Sequence, residues 1–331
     1  MKITNKIVSL VLVFCIFLLS VSLSSCVEKK RYTVNFYTED KLFYSYEVTE
    51  GSIISEIDGP DTETRRFMYW VYEDGTKYDF GFWTTPGVIS DVNLYAYYEF
   101  DERLAKESIK NSHLSAHLKV KNNTNFKDKF LWFELDSNIV THGSAVIYDY
   151  KDGYYYALTN AHVILASEKI AEQAIDFDFF NISVIDYQDE EKSAEVLFYR
   201  VDYDLAIIRF QSSKTYEIIK FADKNPEIGD NCIAVGNPLN ARNKITVGAG
   251  ESYENVELID SKLINDVTFN VFKHSANIKG GSSGGALLNE DLELIGINYA
   301  EKNFFLIVSI DSFALPISNV KDFISLYNVE S

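Results

Sequence analysis

A serine framed by glycines is the feature of this sequence that most directly indicates chemistry. Ser283 lies in the segment Gly280-Gly281-Ser282-Ser283-Gly284-Gly285-Ala286. A serine nucleophile needs its hydroxyl exposed on a tight turn, and neighbouring glycines permit such a turn and the close approach of a substrate backbone. The segment therefore predicts acyl transfer at Ser283. A flexible Gly/Ser loop has the same composition, so the prediction needs further groups.

A serine hydroxyl is a weak nucleophile on its own, so the reaction also needs a base. His162 lies in Thr159-Asn160-Ala161-His162-Val163, directly after an apolar strand. The end of such a strand is where a barrel opens into a cleft. A lone histidine is more often a packed residue, but the pattern T-x-A-H-V resembles the histidine motif of trypsin-like proteases. We therefore interpret His162 as the base.

The third group has to orient the imidazole and stabilise its cation. Asp204 stands at the head of Leu205-Ala206-Ile207-Ile208, which predicts a buried strand. A carboxylate there is costly unless it is hydrogen-bonded to the histidine. Asp202 is the competing candidate, and we interpret it as a solvated neighbour because no such strand directly follows it. The chain order histidine, aspartate, serine is that of chymotrypsin and differs from that of subtilisin and the α/β-hydrolases.

The elements that must position these groups are predicted to be mostly β. Of the 331 residues, 47% are hydrophobic and 15% aromatic, and aromatic side chains fit the half-buried surface of a sheet. Two sets of short strands fit two antiparallel β-barrels, at about 125–215 and 228–316, followed by a helix at 319–327 with Ser318 as its cap. The predicted strands are 130–135, 143–148, 154–158, 194–199, 205–210, 231–235, 244–247, 267–272, 286–288, 292–297 and 304–310.

Residues from about 130 to 325 resemble the protease domain of the high-temperature-requirement (Deg-type) serine proteases, within the trypsin-like family. Besides the three segments above, the matching pieces are 143–147, 228–230, 234–238, 294–298 and 313–317. Ser282 and Ala286 replace an Asn or Asp and a proline that are usual in the family, and neither change removes a catalytic group. No length remains for the PDZ domain that normally follows, so regulation through a PDZ domain is not expected.

The resemblance implies a chymotrypsin-like fold and a reaction that uses no cofactor and no metal. It assigns the oxyanion-hole N–H groups to Gly281 and Ser283. Counting from the nucleophile, it assigns the substrate pocket to Asn277, Asn298 and Ser312. These three side chains are polar and uncharged, so no strong demand for a charged substrate side chain follows.

The N-terminus has the pattern of a targeting segment. Lys2 and Lys6 precede the apolar stretch 7–21, and Leu23-Ser24-Ser25-Cys26 follows. The pattern resembles a bacterial lipobox, which implies a signal peptide at 1–25, lipidation of Cys26, a tether at 26–30 and an extracytoplasmic, membrane-anchored protein. The alternative is a plain signal anchor. Cleavage and lipidation leave Cys232 without a disulfide partner, and we interpret it as a small buried hydrophobe.

Residues 31–100 have a strand pattern of their own, with strands predicted at 32–37, 43–48, 67–72 and 93–98. The segments YTVNFYT, FMYW, EDGTKYDF and DVNLYAYYE resemble the Listeria–Bacteroides (internalin B-type) repeat, which implies a β-grasp-like module of bacterial surfaces. The polar residues 101–124 are predicted to be a linker with one helix. The protease domain is then expected at 125–328.

These features favour a serine endopeptidase that acts on extracytoplasmic proteins or peptides and is held at the membrane by its lipid. The alternative is a non-catalytic surface-binding lipoprotein in which the small module binds a ligand and the barrels are a scaffold. A serine esterase is a third reading, although it would need a different order of residues. The net charge of −18 disfavours binding to nucleic acid. His113 and His117 are four residues apart, but no third metal ligand is evident near them.

Overall fold

The structure is a computed structural model. It describes residues 29–81, 87–130, 133–170, 176–177, 181–238, 241–256, 267–304 and 308–330. The predicted signal peptide and Cys26 lie outside these residues. In the described part of the chain, no helix combines the length and the apolar character needed to cross a membrane.

The chain divides into two compact units. The small unit comprises Met1–Pro60 and Phe67–Glu99, and the two-barrel unit comprises Asp61–Arg66 and Phe100–Ser331.

The small unit is built on a four-stranded sheet with the strand order β2-β1-β4-β3. Its strands are β1 (Arg31–Thr38), β2 (Lys41–Thr49), β3 (Arg65–Val71) and β4 (Val92–Phe100). Strand β1 pairs antiparallel with β2 and parallel with β4. Alternate residues of β1, Val34 and Phe36, are buried beside Leu94 and Trp70, and the Trp70 indole donates to the Ile57 carbonyl at 2.7 Å. All four strands predicted for this module are present.

Residues 101–124 differ from the predicted linker, because they form part of the two-barrel unit. Helix α1 (Glu102–Ser108) begins after Asp101, whose carboxylate accepts the N–H groups of Arg103 and Leu104. A π-helical turn at Ile109–His113 and a 3-10 turn at Leu114–Ala116 lead into strand β5 (His117–Phe130). The sequence of β5 is polar for most of its length, so its hydrophobic pattern does not predict a barrel strand.

The first barrel is closed and antiparallel, with the ring order β5-β6-β7-β11-β10-β9. Its further strands are β6 (Phe133–Lys151), β7 (Tyr154–Thr159), β9 (Ile182–Ile185), β10 (Glu191–Arg200) and β11 (Leu205–Gln211), and a short strand β8 (Asp176–Phe177) pairs with β5. Along β11, Ala206 and Ile208 are buried in the core of this barrel. Leu205 and Ile207 are buried in a second core that residues of the other barrel share.

The second barrel is also closed, with the ring order β12-β13-β14-β17-β16-β15. Its strands are β12 (Asn231–Gly236), β13 (Lys244–Glu254), β14 (Val271–His274), β15 (Ala286–Leu288), β16 (Leu294–Phe304) and β17 (Val308–Pro316). Strand β12 places Cys232 and Ala234 in its own core and Ile233 and Val235 in the shared core. The two predicted antiparallel barrels are therefore confirmed, and their pairing is that of a chymotrypsin-like fold.

Two helices complete the two-barrel unit. Helix α2 (Ala161–Ile170) follows β7 and was not predicted. Helix α3 (Ile317–Glu330) begins two residues before the predicted start. The N–H of Ser318 in its first turn is accepted by the Asn225 side chain at 2.9 Å. The prediction that Ser318 caps the helix is therefore wrong, because Ser318 lies inside the helix. The acceptor for its N–H comes from a distant part of the chain, which the local sequence could not indicate.

Candidate active site

His162 lies in the first turn of α2, three residues after β7 ends at Thr159. The intervening Asn160 ties this junction to the start of β11, because its side-chain amide donates to the Asp204 carbonyl oxygen at 2.9 Å. The N–H of Ala161 donates to the same oxygen at 3.1 Å. The His162 side chain is buried, with 7% of the residue exposed. The junction thus holds the imidazole beside the turn that precedes β11.

Asp204 faces the His162 imidazole from that turn. Its backbone has a φ of +46°, in the left-handed region that aspartate tolerates better than most residues. The carboxylate Oδ1 accepts the His162 backbone N–H at 2.9 Å, and Oδ2 lies 2.6 Å from Nδ1. An ionised carboxylate only accepts hydrogen bonds, so Nδ1 carries the proton and Nε2 keeps the lone pair that a base needs. Asp204 is fully buried, and these bonds offset the cost of burying its charge.

Asp202, the competing candidate, lies in a surface ion pair. Its two carboxylate oxygens accept from Arg200 Nε at 2.9 Å and Nη2 at 2.8 Å, and its side chain is 45% exposed. These hydrogen bonds hold the pKa of the Asp202 carboxyl below its usual range. Asp202 is therefore solvated and engaged with a cation of its own.

The loop before β15 presents Ser283 between two tight turns. Gly281 and Gly284 have φ values of +95° and +83°, which side chains other than glycine rarely adopt. The Ser282 N–H donates to the Lys279 carbonyl at 2.8 Å, and the Gly285 N–H donates to the Ser282 carbonyl at 2.9 Å. Ser282 is buried and its Oγ accepts the Lys279 N–H, whereas Ser283 is partly exposed. The more accessible of the two serines is the one predicted to be the nucleophile.

The serine loop packs on the first barrel through its backbone. The Ser144 N–H, on β6, donates to the Ser283 carbonyl at 2.8 Å. A Cβ at Gly284 would collide with the Ser144 carbonyl oxygen and with the Thr159 hydroxyl, so this contact requires glycine. Thr159 is the last residue of β7, and Ser283 consequently lies beside the strand end that leads to His162.

The Ser283 hydroxyl donates to the Tyr299 carbonyl at 3.2 Å. Among the residues that the structure describes, no hydrogen bond joins Ser283 to His162. The structure therefore pairs His162 with Asp204 and brings the serine loop against their barrel, with the serine hydroxyl turned toward β16.

Two backbone N–H groups near this hydroxyl have no partner in the described part of the chain, those of Gly281 and Ser283. The neighbouring Gly280 N–H, in contrast, donates to Glu301 Oε1 at 3.0 Å. Unused N–H groups beside a nucleophile can bind the oxygen of a tetrahedral intermediate.

The three residues predicted for the substrate pocket have different environments. Asn277 is exposed. Asn298 is fully buried, and its amide donates to the carbonyls of Val235 and Ala286 at 3.3 and 3.0 Å. Ser312 is buried, and its Oγ accepts the Ile278 N–H at 3.2 Å. A substrate contact by Ser312 or by the Asn298 amide nitrogen would require these bonds to be replaced.

The histidines and the cysteine outside this site have structural surroundings in the part of the chain that the structure describes. His117 starts strand β5, so it shares no helical face with His113, and no group of three metal-binding side chains occurs in the described ranges. Cys232 is buried, and burial raises the pKa of its thiol to about 12. A thiol with such a pKa stays protonated at neutral pH and is a poor nucleophile.

Sequence analysis did not identify Ser144, Asn160, Tyr299 or Glu301 as residues of the site. The segment Gly143-Ser144 was predicted only as part of a strand. Asn160 and Glu301 act through side chains that bond backbone groups of distant segments, and Tyr299 acts through its own carbonyl. No residue type marks such contacts in a single sequence, because any residue can present a carbonyl and many side chains can accept a backbone N–H.

Comparison with known proteins identifies the type of domain. Residues 143–297 match the family model of the Trypsin-like peptidase domain. This stretch of the two-barrel unit is similar to trypsin-like peptidase domains. This is the domain type of serine protease hydrolases.

Curated relatives agree with the domain match. Over 163 residues the chain is 34% identical to the periplasmic pH-dependent serine endoprotease DegQ of Escherichia coli (strain K12), covering 48% of this chain and 31% of the relative. It is 29% identical over 162 residues to the serine protease Do-like HtrA of Lactococcus lactis subsp. cremoris (strain MG1363), covering 48% and 37%. The chain thus spans about a third of the length of these relatives. A crystal structure of the serine endoprotease from Yersinia pestis matches with a TM-score of 0.48 and 25% identity, over 67% of this chain and 65% of that one.

Proposed function

We propose that the chain is an extracytoplasmic serine endopeptidase of the Deg/HtrA type, with Ser283, His162 and Asp204 as its catalytic residues. One observation carries the proposal. The buried Asp204 carboxylate lies 2.6 Å from His162 Nδ1, at a junction against which the loop of the partly exposed Ser283 packs. A buried carboxylate and imidazole with this geometry are arranged to leave Nε2 as a base.

In the proposed reaction, Ser283 Oγ attacks the carbonyl carbon of a peptide bond while His162 Nε2 takes the hydroxyl proton. The carbonyl oxygen becomes negative and accepts the N–H groups of Gly281 and Ser283. The intermediate then expels the amine, which receives the proton from His162, and an acyl-enzyme remains. Water attacks this ester with His162 as base, and Asp204 stabilises the imidazolium in both steps.

The Ser283 hydroxyl has to leave the Tyr299 carbonyl before it can donate to His162. This requires rotation about the Cα–Cβ bond of Ser283, which moves side chains between staggered rotamers. The bond to Tyr299 is thus a resting hydrogen bond that substrate binding has to replace.

Hydrolysis of a denatured protein tests the proposed activity. The full chain should degrade denatured casein, and Ser283→Ala should abolish the degradation while the fold is retained. Ser282→Ala is the matched control, because it removes the hydroxyl of the adjacent, buried serine. Loss of activity in Ser282→Ala together with full activity in Ser283→Ala would assign the reaction to the other serine.

The extracytoplasmic location is supported by the names of relatives, which include periplasmic endoproteases, and by the N-terminal sequence. We propose that Cys26 is lipidated and anchors the chain. Cys26→Ala should then release the mature protein from membranes or leave it uncleaved, as detergent partitioning and the intact mass would show. Normal cleavage with unchanged partitioning would contradict anchoring through this thiol.

The small unit is proposed to be a repeat of the Listeria–Bacteroides type that binds a surface ligand. The support is its mixed sheet, in which the segments YTVNFYT, FMYW and DVNLYAYYE form most of β1, β3 and β4.

A further inference from the structure

The proposed oxyanion hole depends on a backbone segment with unusual freedom. Gly280 and Gly281 follow each other, and glycine adopts both signs of φ with similar ease. The donor, the N–H of Gly281, belongs to the peptide between these two residues. In a loop of this composition, other groups have to fix the orientation of that peptide. A donor stabilises an oxyanion effectively only when it is preorganised.

Ser144 holds the segment on one side. Its Oγ donates to the Gly281 carbonyl at 2.8 Å, and it accepts the Asn237 backbone N–H at 2.8 Å. Because a backbone N–H can only donate, this bond leaves the Ser144 hydroxyl proton for the Gly281 carbonyl. Ser144 is 1% exposed, so water does not compete for this proton.

Glu301 holds the segment on the other side. Its Oε1 accepts the Gly280 N–H at 3.0 Å from strand β16. The Gly280 N–H and the Gly281 carbonyl are the backbone groups that immediately flank the donor peptide. With both anchored, the freedom left to the donor is the rotation of one peptide.

We infer that Ser144 and Glu301 are positioning residues that clamp the Gly280–Gly281 peptide and so aim the Gly281 N–H at the oxyanion. The inference rests on the proposed function, since it assigns a role in the same reaction. Neither side chain touches the reacting atoms in this role. Their loss should therefore weaken the stabilisation of the transition state and leave the base and the nucleophile intact.

The test compares Ser144→Ala, Glu301→Ala and Glu301→Gln in the full chain. Glu301→Gln is the conservative variant, because its amide oxygen still accepts an N–H. Ser183→Ala and Glu195→Ala are controls, since the side-chain hydrogen bonds of these residues within the described ranges go to the surface side chains of Glu191 and Arg209 respectively. For each variant, kcat and KM are measured on a peptide taken from the casein cleavage site. The affinity of the corresponding peptide boronic acid, whose adduct places an oxygen in the oxyanion hole, is measured in parallel.

We expect Ser144→Ala and Glu301→Ala to lower kcat by on the order of 10- to 100-fold, less than the loss from deleting an oxyanion donor. KM should change little, the boronic acid should lose affinity in proportion to kcat/KM, and Glu301→Gln should keep most of the activity. The pH profile should keep its shape, because the His162–Asp204 pair is untouched.

Wild-type kcat in folded Ser144→Ala and Glu301→Ala would overturn the clamp, and a raised KM with constant kcat would show instead that Glu301 contacts substrate. If Ser144→Ala fails to fold, the two Glu301 variants decide the question alone. A wild-type chain that neither cleaves peptides nor binds the boronic acid would overturn the proposed function and the clamp with it. An active wild type with unaffected variants would overturn the clamp only.

Discussion

The two barrels contribute to the site in different physical ways. The first barrel supplies side chains, His162 and Asp204, which are buried and bonded to each other. The second barrel supplies Ser283 on a loop that is shaped by glycines and held by backbone hydrogen bonds to Ser144 and Asn298. Substitutions of these first-barrel residues should therefore remove a proton acceptor or a charge outright. Substitutions in the loop of the second barrel, apart from those at the proposed nucleophile, should act through geometry and give graded losses of activity.

The largest effect is expected from removing the base or the nucleophile. His162→Ala and Ser283→Ala should each reduce kcat by on the order of 10⁶, and the double variant should be no worse, because the two residues act as a unit. Steady-state kinetics on one peptide substrate would measure all three. Additive losses would show that the residues act separately and would contradict a shared proton transfer.

Asp204→Asn should rank next, with a loss on the order of 10⁴ in kcat. Asparagine tolerates the left-handed backbone of this turn, so the fold should persist. Its amide can donate to Nδ1, however, and thereby favours the wrong imidazole tautomer. Asp202→Asn is the matched control and should change kcat by less than about tenfold, since it loses only a surface ion pair. Equal losses in the two variants would mean that general charge near the loop matters more than the bond to His162.

Gly284→Ala tests whether the loop of the second barrel depends on its backbone geometry. The new Cβ meets the Ser144 carbonyl and the Thr159 hydroxyl, and the left-handed φ adds strain, so we expect destabilisation of about 3 kcal/mol or more. Gly153→Ala is the control. It has nearly the same φ, +84° against +83°, but no atom within 4 Å of its Cβ, so only about 1 to 2 kcal/mol should be lost. Thermal unfolding of the full chain would measure both, and equal shifts would show that the loop is not tightly packed on the first barrel.

A smaller effect, on the pH dependence of stability, should come from the buried imidazoles of His117 and His274, which lack a carboxylate partner like that of His162. His117 and His274 are buried, and among the residues that the structure describes neither ring meets the geometry of a hydrogen bond. The Ala276 backbone approaches the His274 ring and partly opposes the effect of burial on its pKa. Burial lowers the pKa of each to about 3, with nearby His113 adding to the effect at His117. Both should therefore be neutral in the folded protein at pH 5.

The sign of the resulting pH dependence follows from linkage. An unfolded histidine has a pKa of about 6.5, so between about pH 6.5 and 3 the unfolded chain binds more protons. The free energy of unfolding is therefore unaffected by these histidines above pH 6.5. It falls as the pH drops below 6.5, by roughly 2 kcal/mol per histidine at pH 5. His274→Phe should make this acid destabilisation shallower in denaturant unfolding. His142→Asn should act in the same direction but more weakly, because burial lowers the pKa of this more exposed histidine of β6 by less. An unchanged pH slope in His274→Phe would contradict the assignment.

The strands that the sequence could predict are those whose apolar residues are continuous or recur at every second position. Strands β7, β11 and β12 have continuous or alternating apolar residues and were predicted within a residue or two. Strand β5 could not be recognised, because its buried positions include His117, Asn122 and Thr124. Such polar positions are stabilised by distant partners, as when the Asn122 amide donates to the Ile164 carbonyl at 2.7 Å. Hydrophobic pattern carries no signal for bonds of that kind.

The candidate site divides in the same way. Sequence motifs with recognisable neighbours indicated His162, Asp204 and Ser283, because the proposed reaction demands particular side chains, and their catalytic roles stay a prediction. The residues that hold the loop, Ser144 and Glu301, act through single bonds to backbone atoms of segments that are remote in sequence. Their partners become evident only when the two barrels are folded against each other.

Labelling with a fluorophosphonate tests the central claim most directly, because the probe reacts with a serine that a base has activated. The full-length wild-type chain should be labelled, and peptide mass mapping should locate the adduct on Ser283. Labelling should fall close to background in His162→Ala and persist in Ser282→Ala and Asp202→Asn. An adduct on Ser282, or a wild-type chain that remains unlabelled while folded, would contradict the assignment of Ser283 as a nucleophile activated by His162 and Asp204.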